Sequence, residues 1–163
     1  MTYRLTRLSN DDAKELFKFE KVNKQFFEKS VPPRPVRYEI YEQFLQVLIG
    51  LLEEQAENKS LFYLIKNETD EIVGRINIVD IDWREKKGYL GYRIGEAYTG
   101  KGIATHALQI LLQQNKEINH LLAKTTKDNI SSQKVLERND FGMQGVEGSF
   151  IYYQWDRKLN TSY

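Results

Sequence analysis

The stretch Tyr92-Arg-Ile-Gly-Glu-Ala-Tyr-Thr-Gly-Lys-Gly-Ile-Ala-Thr105 decides how the rest of the chain is read. It begins as the end of a strand and breaks at a turn holding Gly100 and Gly102. It then continues into Ile103, Ala104, Ala107, Leu108, Leu111 and Leu112, which keep helical spacing. A strand that passes through a glycine-rich turn into a helix start leaves main-chain amides unpaired where the helix dipole adds positive charge, so the turn suits a phosphate. The same glycines also serve a plain tight connection, but two glycines, Lys101 and a helix start coincide here.

Upstream, residues 61–65, 72–81 and 88–94 read as strands separated by polar turns, an antiparallel meander. Downstream, residues 121–126 read as a strand, 129–138 as a short helix and 150–155 as a closing strand. The helix between strands 88–94 and 121–126 allows these two to lie parallel. Before the meander, residues 3–8 alternate as a half-buried strand, and residues 11–27 follow as a helix in which Asp12 and Glu15 have capping-box spacing. All three prolines fall at positions 32, 33 and 35, a stiff non-helical connector. Tyr41, Phe44, Leu45, Leu48 and Leu52 then mark an amphipathic helix of about four turns. The order β-α-α-β-β-β-α-β-α-β-β gives a mixed α/β (α+β) fold. Its mostly antiparallel sheet has about six or seven strands flanked by about four helices, all within a single domain over residues 1–163.

The 163 residues suffice for one domain with a real core. A net charge of +1 lacks the basic excess of a domain built to bind nucleic-acid backbone, so no direct nucleic-acid binding is expected. The absence of cysteine removes thiol nucleophiles, disulfides and thiolate metal sites, and two histidines are too few for a three-histidine metal centre. The start is charged and lacks an apolar targeting core, and no apolar run approaches the ~20 residues of a membrane span. The expectation is a cytoplasmic protein without membrane contact.

Three nucleotide signatures compete for the turn. Gly95-x-x-x-x-Gly100-Lys101 follows the P-loop up to its last position, where Gly102 replaces the hydroxyl residue that holds Mg²⁺. Residues 76–80, with Asp80, imitate the acidic strand of that motif but precede the loop. The dinucleotide pattern fails on Thr105, which replaces the third glycine, and on the acidic residue expected ~20 positions later, where Leu121 and Leu122 stand.

The third signature fits better. Thr99-Gly-Lys-Gly-Ile-Ala104 resembles the acyl-CoA pyrophosphate loop, [Q/R]-x-x-G-x-[G/A], of the GNAT acetyltransferase superfamily, with Thr99 in place of Gln or Arg. Gly91-Tyr-Arg-Ile94 resembles that family's fourth strand. Asn129-Ile-Ser-Ser-Gln-Lys-Val-Leu-Glu-Arg-Asn-Asp-Phe141 is similar to a segment of its ribosomal-protein N-terminal acetyltransferase branch, with Asp140 where that branch has glycine. The order of elements agrees over nearly the whole chain.

The resemblance implies acetyl-CoA as donor, a primary amine as acceptor and no metal. It places the pyrophosphate on the amides of Thr99, Gly100, Lys101, Gly102, Ile103 and Ala104, and the pantetheine arm along Tyr92, Arg93 and Ile94, where the fourth strand splays from the fifth. It implies that Asn129 bonds the pantetheine, that Ser132 meets the departing thiolate and that Lys134 reaches a cofactor phosphate. Asn129 reads equally as a helix N-cap, and Lys101 and Lys134 as solvated lysines. Glu96, nearest the loop in sequence, and Glu147, in the final hairpin, are the candidate bases, although each also reads as a surface carboxylate. Tyr92 or Tyr98 is placed to line the acceptor slot.

His106 and His120 read as structural or exposed, and no G-x-S-x-G nucleophile turn exists. Lys21, Lys24, Lys29, Arg34 and Arg37 surround the proline connector, either as a wall that steers an acidic acceptor or as a solvated face. The acceptor expected from the branch is a ribosomal or other protein N-terminus. The alternatives are a small amine, such as a polyamine or an antibiotic, and a CoA-binding module without catalysis. A monomer or a homodimer is expected.

Overall fold

The computed structural model describes residues 2–29 and 39–157. The proline connector, with Arg34 and Arg37, lies outside the described residues. Strand β1 (Arg4–Arg7) buries Leu5 and leads through a short 3-10 turn into α1 (Ala13–Val22), which turns Ala13, Leu16, Phe19 and Glu20 inward. The helix entry is fixed one register earlier than Asp12 and Glu15 suggested. The Ser9 amide donates to the Asp12 carboxylate at 2.9 Å, and the Asp12 amide donates back to the Ser9 carbonyl at 3.1 Å.

The single helix expected over residues 11–27 is broken at Asn23 into α1 and α2 (Lys24–Phe27). Asn23 leaves helical geometry (φ −98°, ψ 5°), and its side-chain amide donates to the Phe19 carbonyl at 2.9 Å, a local bond that competes with the helical ladder. The break gives five helices among the described residues, where about four are expected. Helix α3 (Tyr41–Ala56) follows, with Phe44 and Leu48 fully buried.

Strands β2 (Leu61–Lys66), β3 (Ile72–Asp82) and β4 (Lys87–Ile94) form the expected meander, and α4 (Ile103–Gln114) crosses over to β5 (His120–Thr126). Helix α5 (Ile130–Arg138) and the hairpin β6 (Gly142–Glu147) and β7 (Phe150–Asp156) follow. The sheet runs β1-β2-β3-β4-β5-β7-β6, and among the described residues only the β4–β5 pair is parallel. Helices α4 and α5 pack on one face over Ile76, Ile78, Leu121 and Trp155. The other face carries α1, α2 and α3, with Leu16, Phe19, Phe44, Leu48, Phe62 and Leu64 between them and the strands. Because β2 is covered on both faces, Leu61 to Ile65 are buried without alternation.

Candidate active site

The site begins where the sheet stops being a sheet. Strand β4 stays paired with β3 to its last residue, Ile94 opposite Gly74. On its other side the parallel ladder with β5 holds only from Lys87↔His120 to Tyr89↔Leu122. Strand β5 meanwhile stays paired with β7 as far as Thr126↔Phe150. Beyond Tyr89 and Leu122 the two strands diverge, and the facing edges of Leu90 to Ile94 and Ala123 to Thr126 form a wedge with no ladder between them. Main-chain groups on such an edge are ready to pair with an extended, amide-bearing ligand.

At the end of β4 the chain enters the loop. The Gly95 amide donates to the Val73 carbonyl at 2.9 Å, and residues 96–98 make one 3-10 turn. Thr99 is spent inside that turn, since its amide and its hydroxyl both donate to the Glu96 carbonyl, at 3.3 and 2.9 Å. The open amides start one residue later. From Gly100 through Thr105, none donates to an acceptor among the described residues. Gly100 and Gly102 both have φ of 75°, and a Cβ on either would touch nothing within 4 Å. Backbone handedness, not crowding, therefore requires glycine at these two positions. The run ends on the N-terminus of α4, where dipole and amides together favour an anion. Exposed Lys101 sits beside it, its ammonium 5.8 Å from the centre of the Tyr98 ring.

The wall of the wedge on the α5 side holds the other predicted residues. Asn129 caps α5, its Oδ1 accepting the Ser132 amide at 3.1 Å. This leaves its Nδ2 protons without an acceptor among the described residues, so the capping and ligand-binding readings of Asn129 are compatible. Tyr92 reaches across from β4, with Oη 2.7 Å from Ser132 Oγ. Burial pushes the Tyr92 phenol up to about 12, with the Ser132 hydrogen bond opposing that rise. Lys134 lies exposed two residues past Ser132.

The structure brings Tyr92, Asn129 and Ser132 together, and it gathers residues 100–104 around the start of α4. Glu96 and Glu147 are exposed, and no described contact joins either to Tyr92 or Ser132. Arg93 points to the opposite face of β4. Its guanidinium stacks over Phe27 at 4.6 Å and lies 3.6 Å from Glu20 Oε1, leaving only its main chain at the wedge. His106 is exposed against the edge of Tyr3, and His120 pairs with Asp156 at 3.2 Å. Among the described residues no cluster of His, Asp or Glu is placed to hold a metal, and no helix is long and apolar enough to cross a membrane.

Two features escaped the sequence reading. Asn23 is buried and accepts the Glu96 amide through Oδ1 at 2.8 Å, fastening the α1–α2 corner to the start of the loop. Gly95 permits this approach, since a Cβ there would lie 3.1 Å from Phe19 and 3.3 Å from Asn23. Beneath it, buried Glu20 holds Arg75 at 2.9 Å. Asn23 had a faint signal, a polar cap former inside a helical run. Glu20 and Arg75 had none, because only the three-dimensional pairing makes a buried charge tolerable.

An open wedge next to a run of unpaired amides suits an extended ligand that carries both amide and phosphate groups, and the class of protein comes from comparison with known proteins. Residues 3–142 match the family described as acetyltransferase (GNAT) domain. The chain belongs to the GNAT acetyltransferase family, and its activity is acetyl-CoA-dependent N-acetyl transfer. It is 29% identical to the [ribosomal protein uS5]-alanine N-acetyltransferase of Escherichia coli (strain K12), over 97% of this chain and 86% of that one. It is 33% identical to the uncharacterized N-acetyltransferase p20 of Bacillus licheniformis, over 63% of this chain and 58% of the relative's length. Among solved structures, a RimL ribosomal L7/L12 α-N-protein acetyltransferase in complex with coenzyme A superposes with a TM-score of 0.86 at 22% identity, over 96% of this chain and 94% of that one. At that identity the likeness establishes the fold.

Proposed function

We propose that this protein acetylates the α-amine of a protein N-terminus, working in the cytoplasm as a monomer or a homodimer. The observation that carries the reading is the wedge bordered by open amides and by the Tyr92–Ser132 pair. The relative that modifies a ribosomal-protein alanine and covers nearly the whole chain supports the choice of acceptor. The amides of Gly100 to Ala104 hold the pyrophosphate, with Lys101 at its rim and Lys134 near a second phosphate. The β4 edge from Tyr92 to Ile94 pairs with the pantetheine amides, and Asn129 donates Nδ2 to a pantetheine carbonyl.

In this reading the transfer is direct, since the chain has no cysteine to carry an acyl group. An α-amine with pKa ~7.7–8.0 is partly neutral near pH 7 and attacks the thioester carbonyl without a strong base. Glu96 takes the surplus proton through water, and Ser132 gives a hydrogen bond to the thiolate as the C–S bond breaks. A lysine acceptor, with pKa ~10.4, has a far smaller neutral fraction.

The test combines thermal unfolding with product mapping. Acetyl-CoA at ~100 times its Kd adds ~2.7 kcal/mol to the native state and should raise the midpoint by several degrees, whereas Mg-ATP should not. Peptides beginning with Ala or Ser should release CoA and carry acetyl on the α-amine by mass spectrometry. Turnover confined to lysine side chains or polyamines overturns the acceptor assignment.

A further inference from the structure

The Tyr92–Ser132 contact joins two elements that no ladder connects. Tyr92 comes from the free edge of β4 and Ser132 from the first turn of α5, so their 2.7 Å bond spans the mouth of the wedge. A helical serine ordinarily returns its hydroxyl to a carbonyl one turn back, and Ser132 makes no such bond among the described residues. Its oxygen is instead committed to Tyr92. Among the described residues, the Tyr92 hydroxyl has one further hydrogen-bond acceptor, the Ser132 carbonyl, at 3.4 Å.

Two proton arrangements satisfy these distances. If Ser132 donates to Tyr92, the tyrosine proton is left with the distant carbonyl, and the serine has nothing to offer a ligand. If Tyr92 donates to Ser132, the short bond is made and the serine proton is free to turn outward. A hydroxyl that accepts a hydrogen bond is also a better donor, because successive O–H groups polarise one another. The phenol carries its proton through the neutral range, as this second arrangement requires.

We propose that Tyr92 is the positioning residue of Ser132: its phenol donates to Ser132 Oγ and thereby turns the serine proton into the wedge, toward the sulfur of the departing CoA. The proposal rests on the proposed role of Ser132. Tyr92 itself passes no proton. The single proton that the acetylated nitrogen releases, held by Glu96, returns through water to the thiolate, and the hydroxyl pair lowers the energy of the sulfur anion meanwhile.

The experiment reads that anion directly and needs no acceptor. CoA bound to the wild-type protein, to Tyr92→Phe, to Ser132→Ala and to the double variant is titrated by the ultraviolet absorbance of its thiolate. Tyr92→Phe keeps the ring that packs in the core, so CoA affinity should stay within about twofold while the bound thiol pKa rises by about one unit, the worth of one hydrogen bond near a charge. Ser132→Ala should raise it by at least as much, and adding Tyr92→Phe to Ser132→Ala should raise it no further. A simple brace between β4 and α5 predicts a lower Tm in Tyr92→Phe without a change in the thiol. That result overturns the proposal, as does an equal shift in both backgrounds. If Ser132→Ala moves the thiol and Tyr92→Phe does not, the Ser132 role stands and the Tyr92 role falls. If Ser132→Ala leaves the thiol unmoved, both fall.

Discussion

Replacing Asn23 with alanine should loosen the loop from a residue that touches no part of the wedge. Asn23 makes two side-chain bonds, accepting the Glu96 amide at 2.8 Å in a part-buried contact and donating to the Phe19 carbonyl at 2.9 Å in a buried one. Each neutral bond is worth about 1 kcal/mol net, and a main-chain amide left without its partner adds a desolvation cost, so the total loss is about 2–3 kcal/mol. For a domain of this size that corresponds to a fall in Tm of about 5–10 °C. Glu96 opens the turn that sets the direction of the amides from Gly100 onward, so acetyl-CoA affinity should fall as well, by about three- to tenfold, or 0.7–1.4 kcal/mol. Isothermal titration with acetyl-CoA and thermal unfolding measure the two effects. Leu48→Ala serves as the control: it removes a fully buried side chain from α3 at a cost of about 2–5 kcal/mol, with no contact to the loop. The reasoning fails if Asn23→Ala lowers Tm but leaves the acetyl-CoA Kd unchanged, or if Leu48→Ala weakens acetyl-CoA to the same degree.

Gly102→Ala should cost only about 1 kcal/mol of stability, the price of left-handed backbone with no clash to add, yet weaken acetyl-CoA by more than its effect on Tm suggests. Urea unfolding and calorimetry compare the two. Glu20→Gln removes the charge that compensates Arg75 and Arg93, and should cost about 3–5 kcal/mol in urea unfolding at neutral pH. Burial pushes the Tyr92 phenol up to about 12 from the usual 10, so the folded state keeps a proton that the unfolded chain gives up as pH rises. Its contribution is intact below pH 10 and falls by about 2–3 kcal/mol as pH rises to 12, a loss that the difference between wild type and Tyr92→Phe in alkaline unfolding should show.

The sequence showed the parts of this site whose chemistry is local. Gly100, Lys101 and Gly102 before a helical pattern are readable because positive φ and helix starts have residue preferences of their own. The meander was readable because strand alternation and polar turns are also local. The wedge is legible only through the family resemblance, because alternation and turns do not mark the residue at which the β4–β5 ladder ends, while β5 keeps β7 on its other edge throughout. Periodicity carries helix α1 past its end because the apolar residues Leu16, Phe19 and Phe27 continue across Asn23. The break comes from a side-chain bond that periodicity does not register. Thr99 falls within the loop motif, yet its amide turns back to the Glu96 carbonyl in a 3-10 turn that the motif does not encode.

The alternation of β4 also limits what substitution can separate. Tyr92 joins α5 on one face, Arg93 stacks on Phe27 and approaches Glu20 on the other, and Glu96 is tied to Asn23. Five consecutive residues therefore link the α4–α5 layer to the α1–α2 layer through a single length of main chain. That chain is clamped by β3 on one edge and open on the other. If acetyl-CoA fills the open edge, it supplies the missing ladder partner and stiffens both layers at once. Donor binding then prepares the α1–α2 face before an acceptor arrives, because the Asn23 and Arg93 contacts transmit a fixed β4 without any hinge. An ordered sequence, donor first, follows from that geometry. Product inhibition by CoA should accordingly be competitive with acetyl-CoA and noncompetitive with the peptide, and a random pattern would show that the two layers move independently.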